Sequence, residues 1–272
     1  MMRLSIAFSI LFLCACSKIE TGLNFAPRIA TSKIDDAFDF KSEKLTRIKK
    51  QIDTDIQASK KTLANKLISH IETLEKLSQE SDLKKEQLIS FFNDWSETQT
   101  TLLESFRSSA NVTLKDLTPA ELENFKSYSE KKYAEELTLA KDKKAFLKKK
   151  KKSFVKNYEL FFNSLTGEQE ALLDTFLDNH FDYFKQRILS HQKISEETYL
   201  KIKSQDLVLD FFLAQYGGKK YESLIDAQLK KYLDDFFNFQ IAFWKLTTDK
   251  QKIYYRKMLG GYKDELIKIS SK

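Results

Sequence analysis

Residues 42–79 read SEKLTRIKKQIDTDIQASKKTLANKLISHIETLEKLSQ, and the apolar side chains in this stretch recur with a helical period. The steps between them are three, four and seven residues, which places them on one narrow stripe of a helix: Leu45, Ile48, Ile52, Ile56, Leu63, Leu67, Ile71, Leu74 and Leu77. The other positions are mostly Lys, Asp, Gln, Ser and Thr. The pattern predicts one long helix that buries this stripe against neighbouring helices.

Helical periodicity continues on both sides of the turn after this stretch, and no segment shows a sustained two-residue alternation. The 272 residues contain only 2 Pro and 6 Gly, which leaves few breaks and argues against a turn-rich β protein. Further helices are predicted at 82–108, 119–138, 141–163, 167–191, 196–216, 219–245 and 249–269; whether 119–163 forms one helix or two stays open. We expect an all-α fold, an elongated antiparallel multi-helix bundle, with residues 42–272 as a single domain.

Three of the predicted helices begin with the same kind of capping sequence. A Thr side chain can accept a hydrogen bond from the third helical amide, while Glu or Gln at that position reaches back to the Thr amide. The pairs with this spacing are Thr118 and Glu121, Thr166 and Gln169, and Thr248 and Gln251. Such boxes stabilise helix ends and carry no catalytic chemistry.

The first residues have the character of an export signal. Arg3 precedes an apolar run over 4–13 that is too short to span a bilayer. Leu13-Cys14-Ala15-Cys16 resembles the lipobox of bacterial lipoproteins, which implies a signal peptide at 1–15 and a lipid on Cys16. Residues 16–41 are then a tether with weak helical character. An ordinary cleaved signal peptide, with Cys16 as an unmodified thiol, is the alternative.

If Cys16 carries a lipid, the mature chain has no other cysteine, which excludes disulfides and thiol-based sites. Ser17 replaces the Asp typical of inner-membrane retention. The sequence therefore favours an exported protein anchored in the outer membrane, on the periplasmic side or at the cell surface.

The capping sequences together with the lipobox resemble a family of bacterial lipoproteins of unknown function, whose helices open with Leu-Thr-Pro-Glu-Gln motifs. Further similarities lie near the two ends of the chain, at Leu23-Asn24-Phe25-Ala26, at Ile34–Phe40 and at Gly261–Leu266. The first motif is replaced by Phe40-Lys41-Ser42, and the third has Lys250 where Gln is expected. The resemblance implies no catalytic residues. The Leu-Thr-x-x-Gln element is also similar to a motif of small helical periplasmic chaperones.

Catalytic and metal-binding patterns are missing from the sequence. His180 lies on an apolar stripe, which indicates a packing histidine, and His191 is about 16 Å further along a helix, so the two cannot share an ion. There is no His-Glu-x-x-His and no Gly-x-Ser-x-Gly motif, and Gly217-Gly218-Lys219-Lys220 is interpreted as a helix stop and turn. We predict no metal, no cofactor and no enzyme activity; a hydrolase is a remote alternative.

The basic segment around Lys148, Lys149, Lys150, Lys151 and Lys152 is the remaining candidate for binding. Outside the cytoplasm its partners would be anionic lipid or cell wall, whereas nucleic acid is excluded by location. A solvated helix face is the alternative interpretation. We predict an envelope lipoprotein whose non-enzymatic helical domain binds another envelope component. The rivals are a passive spacer between membrane and wall and chaperone-like holding of client proteins.

Overall fold

A computed structural model describes residues 19–204 and 208–272 of the chain. These residues contain helices and no strand, which confirms the all-α prediction. The eleven α-helices are α1 (Ile19–Phe38), α2 (Ser42–Leu77), α3 (Lys85–Ser105), α4 (Arg107–Leu114), α5 (Pro119–Leu139), α6 (Lys143–Phe162), α7 (Gly167–Asn179), α8 (Phe181–Lys203), α9 (Val208–Tyr216), α10 (Ala227–Lys245) and α11 (Asp249–Ser270). A short 3-10 turn, Tyr221–Ser223, precedes α10.

Helix α2 is the longest of the described helices and contributes to both hydrophobic clusters. With 36 residues it is on the order of 54 Å long. It packs most extensively against α11 and also against α1, α3 and α4. Its C-terminal half buries Ala64 and Ile71 in one hydrophobic cluster, whereas its N-terminal half buries Ile48, Ile52 and Ile56 in another. The predicted stripe is therefore buried or half-buried along its length, and it contributes to two separate clusters.

The large cluster is rich in aromatic rings from α6, α7, α8, α10 and α11. Its rings meet mainly edge to face or tilted, as the ring quadrupole favours. Tyr158 lies 4.6 Å from Phe243 between ring centroids, Phe162 lies 5.2 Å from Phe243, and Phe162 stacks on Tyr255 at 5.3 Å. The side chains fully buried in this cluster are Phe146, Leu173, Leu177, Phe184, Leu233, Phe243 and Leu259.

The small cluster joins the N-terminal half of α2 to α1, α4 and α5. Its buried members are Ala37, Phe38, Phe40, Ile48, Ile52 and Ile56. Phe38 stacks between two rings, with centroids 5.0 Å from Phe40 and 5.0 Å from Phe125. This cluster closes the end of the molecule where the chain crosses from α1 into α2.

Residues 19–38 differ from the predicted tether, because they form helix α1 and belong to the packed structure. Leu23, Ala26, Ala30 and Ile34 recur in steps of three and four and pack against the small cluster. Pro27 lies within the helix, and the Thr31 hydroxyl donates to its carbonyl over 2.6 Å. The stripe was missed because Arg, Lys, Asp and Pro interrupt it, although the period is regular.

Several predicted helices are broken at positions that carry neither Pro nor Gly. Segment 82–108 divides into α3 and α4 at Phe106, and 167–191 divides into α7 and α8 at His180. The two residues have similar non-helical backbone angles, φ −102° and ψ 15° for Phe106 and φ −111° and ψ 14° for His180. The predicted helix 196–216 contains the last residues of α8 and the whole of α9, and residues 205–207 between them are not described. The predicted helix 219–245 starts with the 3-10 turn, and its α-helical part begins only at Ala227.

The open question at 119–163 is resolved as two helices. Asp142 begins α6 by accepting a hydrogen bond from the Ala145 amide over 3.0 Å. The connection between α5 and α6 is therefore a capped turn of three residues.

Candidate functional site

An apolar cavity of about 250 Å³ lies beside the large cluster, among α2, α3, α6, α10 and α11. An engineered apolar cavity of roughly 150 Å³ stays dry and takes up benzene, so a space of this size can admit a small apolar ligand. The apolar lining residues are Leu74, Leu77, Leu83, Leu88, Phe91, Phe92, Trp95, Tyr158, Phe161, Phe162, Leu224, Leu229, Leu233, Phe236, Phe237, Phe243, Trp244 and Tyr255.

The lining follows from helix periodicity. In α3, Leu88, Phe92 and Trp95 recur in steps of four and three, so one face of the helix turns toward the cavity. In α10, Leu229, Leu233, Phe236, Gln240 and Phe243 also recur in steps of four and three. Rigid rings from several helices cannot fill the common space completely, because each ring is positioned by its own helix. The sequence predicted helices over both segments but not the space between them.

Few polar groups line the cavity, and those in its interior are neutral. The Gln240 amide donates to the Tyr158 hydroxyl in a short hydrogen bond. Burial raises the pKa of Tyr158 and of Tyr255 far above 10.0, which keeps both phenols protonated in the folded protein. The interior therefore offers mainly apolar contact, with hydrogen-bonding groups around Gln240 and at the buried indole nitrogen of Trp95, which has no hydrogen-bond partner among the described residues.

Gly217, Gly218 and Lys219 also line the cavity, and Lys219 is the one exposed residue of the lining, so we take this segment as its rim. Of the described residues that line it, only the exposed Lys219 carries a charge at neutral pH. This lysine has no ion-pair partner among the described residues. A cation at the rim of an apolar cavity fits an amphiphilic ligand with an apolar tail and an anionic head.

The rim segment 216–222 is held against α3 by hydrogen bonds. Gln99 donates to the Tyr216 carbonyl over 2.8 Å, the Gly218 amide donates to Thr100 over 2.9 Å, and the Tyr221 amide donates to Asn93 over 2.7 Å. A Cβ atom on Gly218 would lie 1.8 Å from the Ser96 carbonyl oxygen, so only Gly allows this approach. The predicted helix stop is thus also a wall of the cavity.

The five lysines of the basic segment have different surroundings. Lys151 forms ion pairs of 2.9 Å with both Glu170 and Asp174 of α7. Lys150 lies 5.0 Å from the Phe146 ring centroid and 6.0 Å from that of Phe184, and burial lowers its pKa. The exposed members are Lys148, Lys149 and Lys152. The structure therefore leaves three of the five available to an external anion.

All three predicted helix starts contain a capping box. In each box, the backbone amide of the Glu or Gln donates to the hydroxyl of the Thr over 3.2 Å. The backbone amides of Thr118, Thr166 and Thr248 donate in return to the side-chain oxygens of Glu121, Gln169 and Gln251, over 2.8, 3.0 and 2.9 Å. Spacing within the sequence was enough to find these boxes.

Two of the caps also meet in space. The Gln251 side-chain amide donates to Gln169 over 2.8 Å and to the Ser164 carbonyl over 2.7 Å, and Gln169 donates back over 3.3 Å. Both glutamines are buried. The pair fixes the start of α7 against the start of α11, a contact for which the sequence contains no signal.

The described histidines are packing residues. His180 lies 4.6 Å from the Phe176 ring centroid, and its Nε2 lies 3.5 Å from the Asp235 carboxylate. His70 shares a 2.7 Å hydrogen bond with Thr98. Burial lowers the pKa of both rings. Within residues 19–204 and 208–272, no group of three His, Asp or Glu side chains is arranged to hold a metal ion.

Cys16 and the predicted signal peptide lie outside the described residues. No helix in the described part of the chain is long and apolar enough to cross a membrane. Comparison of the chain with protein-family models, with curated proteins and with solved structures gave no match. The lipoprotein family resemblance therefore stays a prediction from the motifs.

Proposed function

We propose that the protein is an exported lipoprotein anchored through Cys16, and that its helical domain binds the acyl chain of an amphiphilic molecule without catalysing a reaction. The observation that carries the binding proposal is the apolar cavity of about 250 Å³. A passive spacer has no use for such a space, because unfilled apolar volume lowers stability. Chaperone-like holding of client proteins would need a wide exposed apolar surface instead.

An acyl chain matches the lining of the cavity better than a polar metabolite does. Transfer of one methylene from water into an apolar interior is favourable by ~0.8 kcal/mol. Binding should therefore strengthen about fourfold for each added methylene until the cavity is full. Lys219 at the rim would then contact an anionic head group.

A chain-length series of fatty acids tests this proposal on residues 17–272, which retain every described helix. The chain contains only two tryptophans, Trp95 and Trp244, and both line the cavity. A brominated fatty acid should quench their fluorescence in a saturable manner. Unlabelled fatty acids should displace it, with an affinity that rises with chain length and then levels off.

Matched variants locate the ligand. Leu77→Trp reduces the cavity volume, whereas Leu67→Trp adds the same bulk to α2 at a half-buried position outside the lining. Calorimetry should show at least about tenfold weaker binding for Leu77→Trp. If Leu77→Trp does not fold, as judged by circular dichroism, Leu88→Trp on α3 takes its place. Equal losses in the two variants, or affinity independent of chain length, would refute binding in the cavity.

Lys219→Gln tests the head group separately. It should weaken fatty-acid binding a few-fold and leave the affinity for the fatty alcohol of equal length unchanged. Equal effects on acid and alcohol would exclude an electrostatic contact at the rim.

The lipid anchor has an independent test. Mass spectrometry of the natural protein should find diacylglycerol on Cys16, and an unmodified cysteine at this position would contradict the proposed anchor.

A further inference from the structure

A second concave surface lies on the opposite face of α10, between that helix and the α7–α8 pair. It is open to solvent, has a volume of about 1040 Å³ and shares no lining residue with the apolar cavity. On α10 the lining positions Gln228, Lys231, Asp235, Asn238 and Ala242 recur in steps of three and four, so they form one helix face. We refer to this surface as the polar groove.

The break at His180 opens the polar groove. Helix α7 packs against α10, whereas α8 packs mainly against α5. The chain therefore changes its main packing partner at His180, from α10 to α5, although Tyr183 still contacts Tyr232 of α10. Phe176, Tyr232 and Phe239 form a buried aromatic floor, and Tyr183 stacks on Tyr232 with centroids 4.3 Å apart.

Four side-chain amides line the two walls. Asn179 and Gln186 come from the α7–α8 side, and Gln228 and Asn238 come from α10. None of these side chains has a hydrogen-bond partner among the described residues. Each amide can donate and accept simultaneously, which suits a ligand whose groups also do both.

The charges in the polar groove are few and partly compensated. Lys231 and Asp235 form an ion pair of 3.1 Å, which leaves Asp182 as the remaining charge in the lining. Burial keeps the pKa of His180 low, so its ring is neutral at pH 7. A polyanion would meet a carboxylate without a compensating cation and is therefore disfavoured, whereas the four amides favour a ligand that binds through neutral hydrogen-bonding groups.

We propose that the polar groove binds a neutral oligosaccharide segment. Sugar hydroxyls both donate and accept hydrogen bonds, as the four amides do, and the apolar faces of sugar rings can pack on the aromatic floor. An extended peptide is disfavoured, because peptide recognition commonly uses a sheet edge, an apolar groove or an arginine cluster, and the lining of this groove offers none of these. The proposal is independent of the acyl-chain proposal.

Calorimetry with fully N-acetylated chitotetraose, on residues 17–272, tests the proposal. The variant Gln186→Leu/Asn238→Leu removes one amide from each wall and should bind about tenfold more weakly. Asn65→Leu, at an exposed position of α2 far outside the lining, should bind as the unchanged protein does. Saturation with a fatty acid should leave the oligosaccharide affinity unchanged.

Two outcomes would overturn the proposal: no heat of binding at millimolar oligosaccharide, or equal affinity in the unchanged protein and the double variant. Binding of a neutral peptide that the oligosaccharide cannot displace would assign the groove to peptides instead. If the double variant is unfolded by circular dichroism, Gln228→Leu, at an exposed site near the start of α10, provides the same comparison.

Discussion

The large and small clusters share helix α2 but differ in the polar groups that are buried beside them. Beside the small cluster, Lys44 and Glu121 form a buried ion pair of 3.2 Å. Asp55 accepts hydrogen bonds from the Ser109 amide and hydroxyl over 2.8 and 2.6 Å. Among the described residues, these three are the only buried Lys, Arg, Asp or Glu. The buried polar groups near the large cluster are neutral amides, hydroxyls and imidazoles.

This difference indicates which of the two clusters can rearrange to accept a ligand. A buried charge is stable only in a fixed geometry with its partners, so the small cluster tolerates little rearrangement. Aromatic and aliphatic contacts are less directional, so the large cluster can tolerate an empty space and accept a ligand in it. We therefore expect the small region to act as a rigid end and the large region to carry binding.

Phe243→Ala should give the largest effect on stability. Phe243 is 2 % exposed and contacts the rings of Tyr158, Phe162 and Phe239. Its truncation would enlarge the cavity, and Phe-to-Ala changes in cores lower the free energy of unfolding by roughly 3–5 kcal/mol. Urea unfolding followed by circular dichroism measures the change.

The control for this variant is Ile253→Ala, because Ile253 lies on the neighbouring helix α11 but is 63 % exposed. That change should alter the free energy of unfolding by less than ~0.5 kcal/mol. A loss below ~1 kcal/mol for Phe243→Ala would mean that the large cluster collapses around the truncated position, and that its empty space is not maintained by rigid rings.

Glu121→Ala should give the next largest effect, in the small region. The change removes the half of the α5 capping box that Glu121 supplies, its hydrogen bond with the Thr118 amide, and leaves the Lys44 ammonium buried without its carboxylate. Loss of one partner of a buried pair typically costs about 3–5 kcal/mol. Because 11 % and 12 % of the two side chains stay exposed to water, which solvates the remaining charge in part, we expect the lower end, about 3 kcal/mol. Thermal and urea unfolding measure it.

The double variant Lys44→Met/Glu121→Gln sharpens the result. It removes both charges, and Gln at position 121 can keep the capping box that Gln169 and Gln251 form elsewhere. We expect it to be clearly more stable than Glu121→Ala. Equal destabilisation would show that the packing of these side chains matters and that their charges do not.

The sequence predicted the fold through features that are local. The α2 stripe and the three capping boxes depend on spacings within one turn or a few turns of helix. The break at Phe106 frees the backbone amide of Ser109 from the helix, and this amide donates to Asp55 instead. Because Asp55 is 54 positions away in the sequence, no local pattern predicts the break. The break at His180 likewise depends on contacts with Tyr232 and Asp235 of α10.

The two candidate sites were only partly predictable for the same reason. The predicted helix over 82–108 contains Leu88, Phe92 and Trp95, but a cavity depends on how five helices pack together. The polar groove depends on the break at His180. The basic segment was visible in the sequence, although the ion pairs of Lys151 with α7 were not.

The smallest expected effect is a different pH response of the two regions. Glu121 has its pKa below the usual 4.5: burial alone would raise it, but the Thr118 amide and Lys44 outweigh burial. The contribution of Glu121 to the free energy of unfolding is therefore complete above pH 4.5 and is lost as the pH falls through the pKa of Glu121 in the folded protein. His70 and His180 have their pKa lowered by burial from 6.5, so the unfolded chain gains protons first and the large region weakens below pH 6.5.

In alkali the large region should again weaken first, because burial raises the pKa of Tyr158 and Tyr255 above 10.0 and the unfolded chain loses those protons first. Trp95 and Trp244 both line the cavity, so tryptophan fluorescence reports on the large region, whereas circular dichroism reports on all helices. We expect the fluorescence midpoint of thermal unfolding to fall by a few degrees between pH 7 and 5.5, and again above pH 10. Glu121→Gln should change neither of these shifts in the midpoint, and should reduce only the loss of stability below pH 4.5. If it changes the shift between pH 7 and 5.5, the two regions are not electrostatically separate, and the contrast between a charged rigid end and a neutral binding region fails.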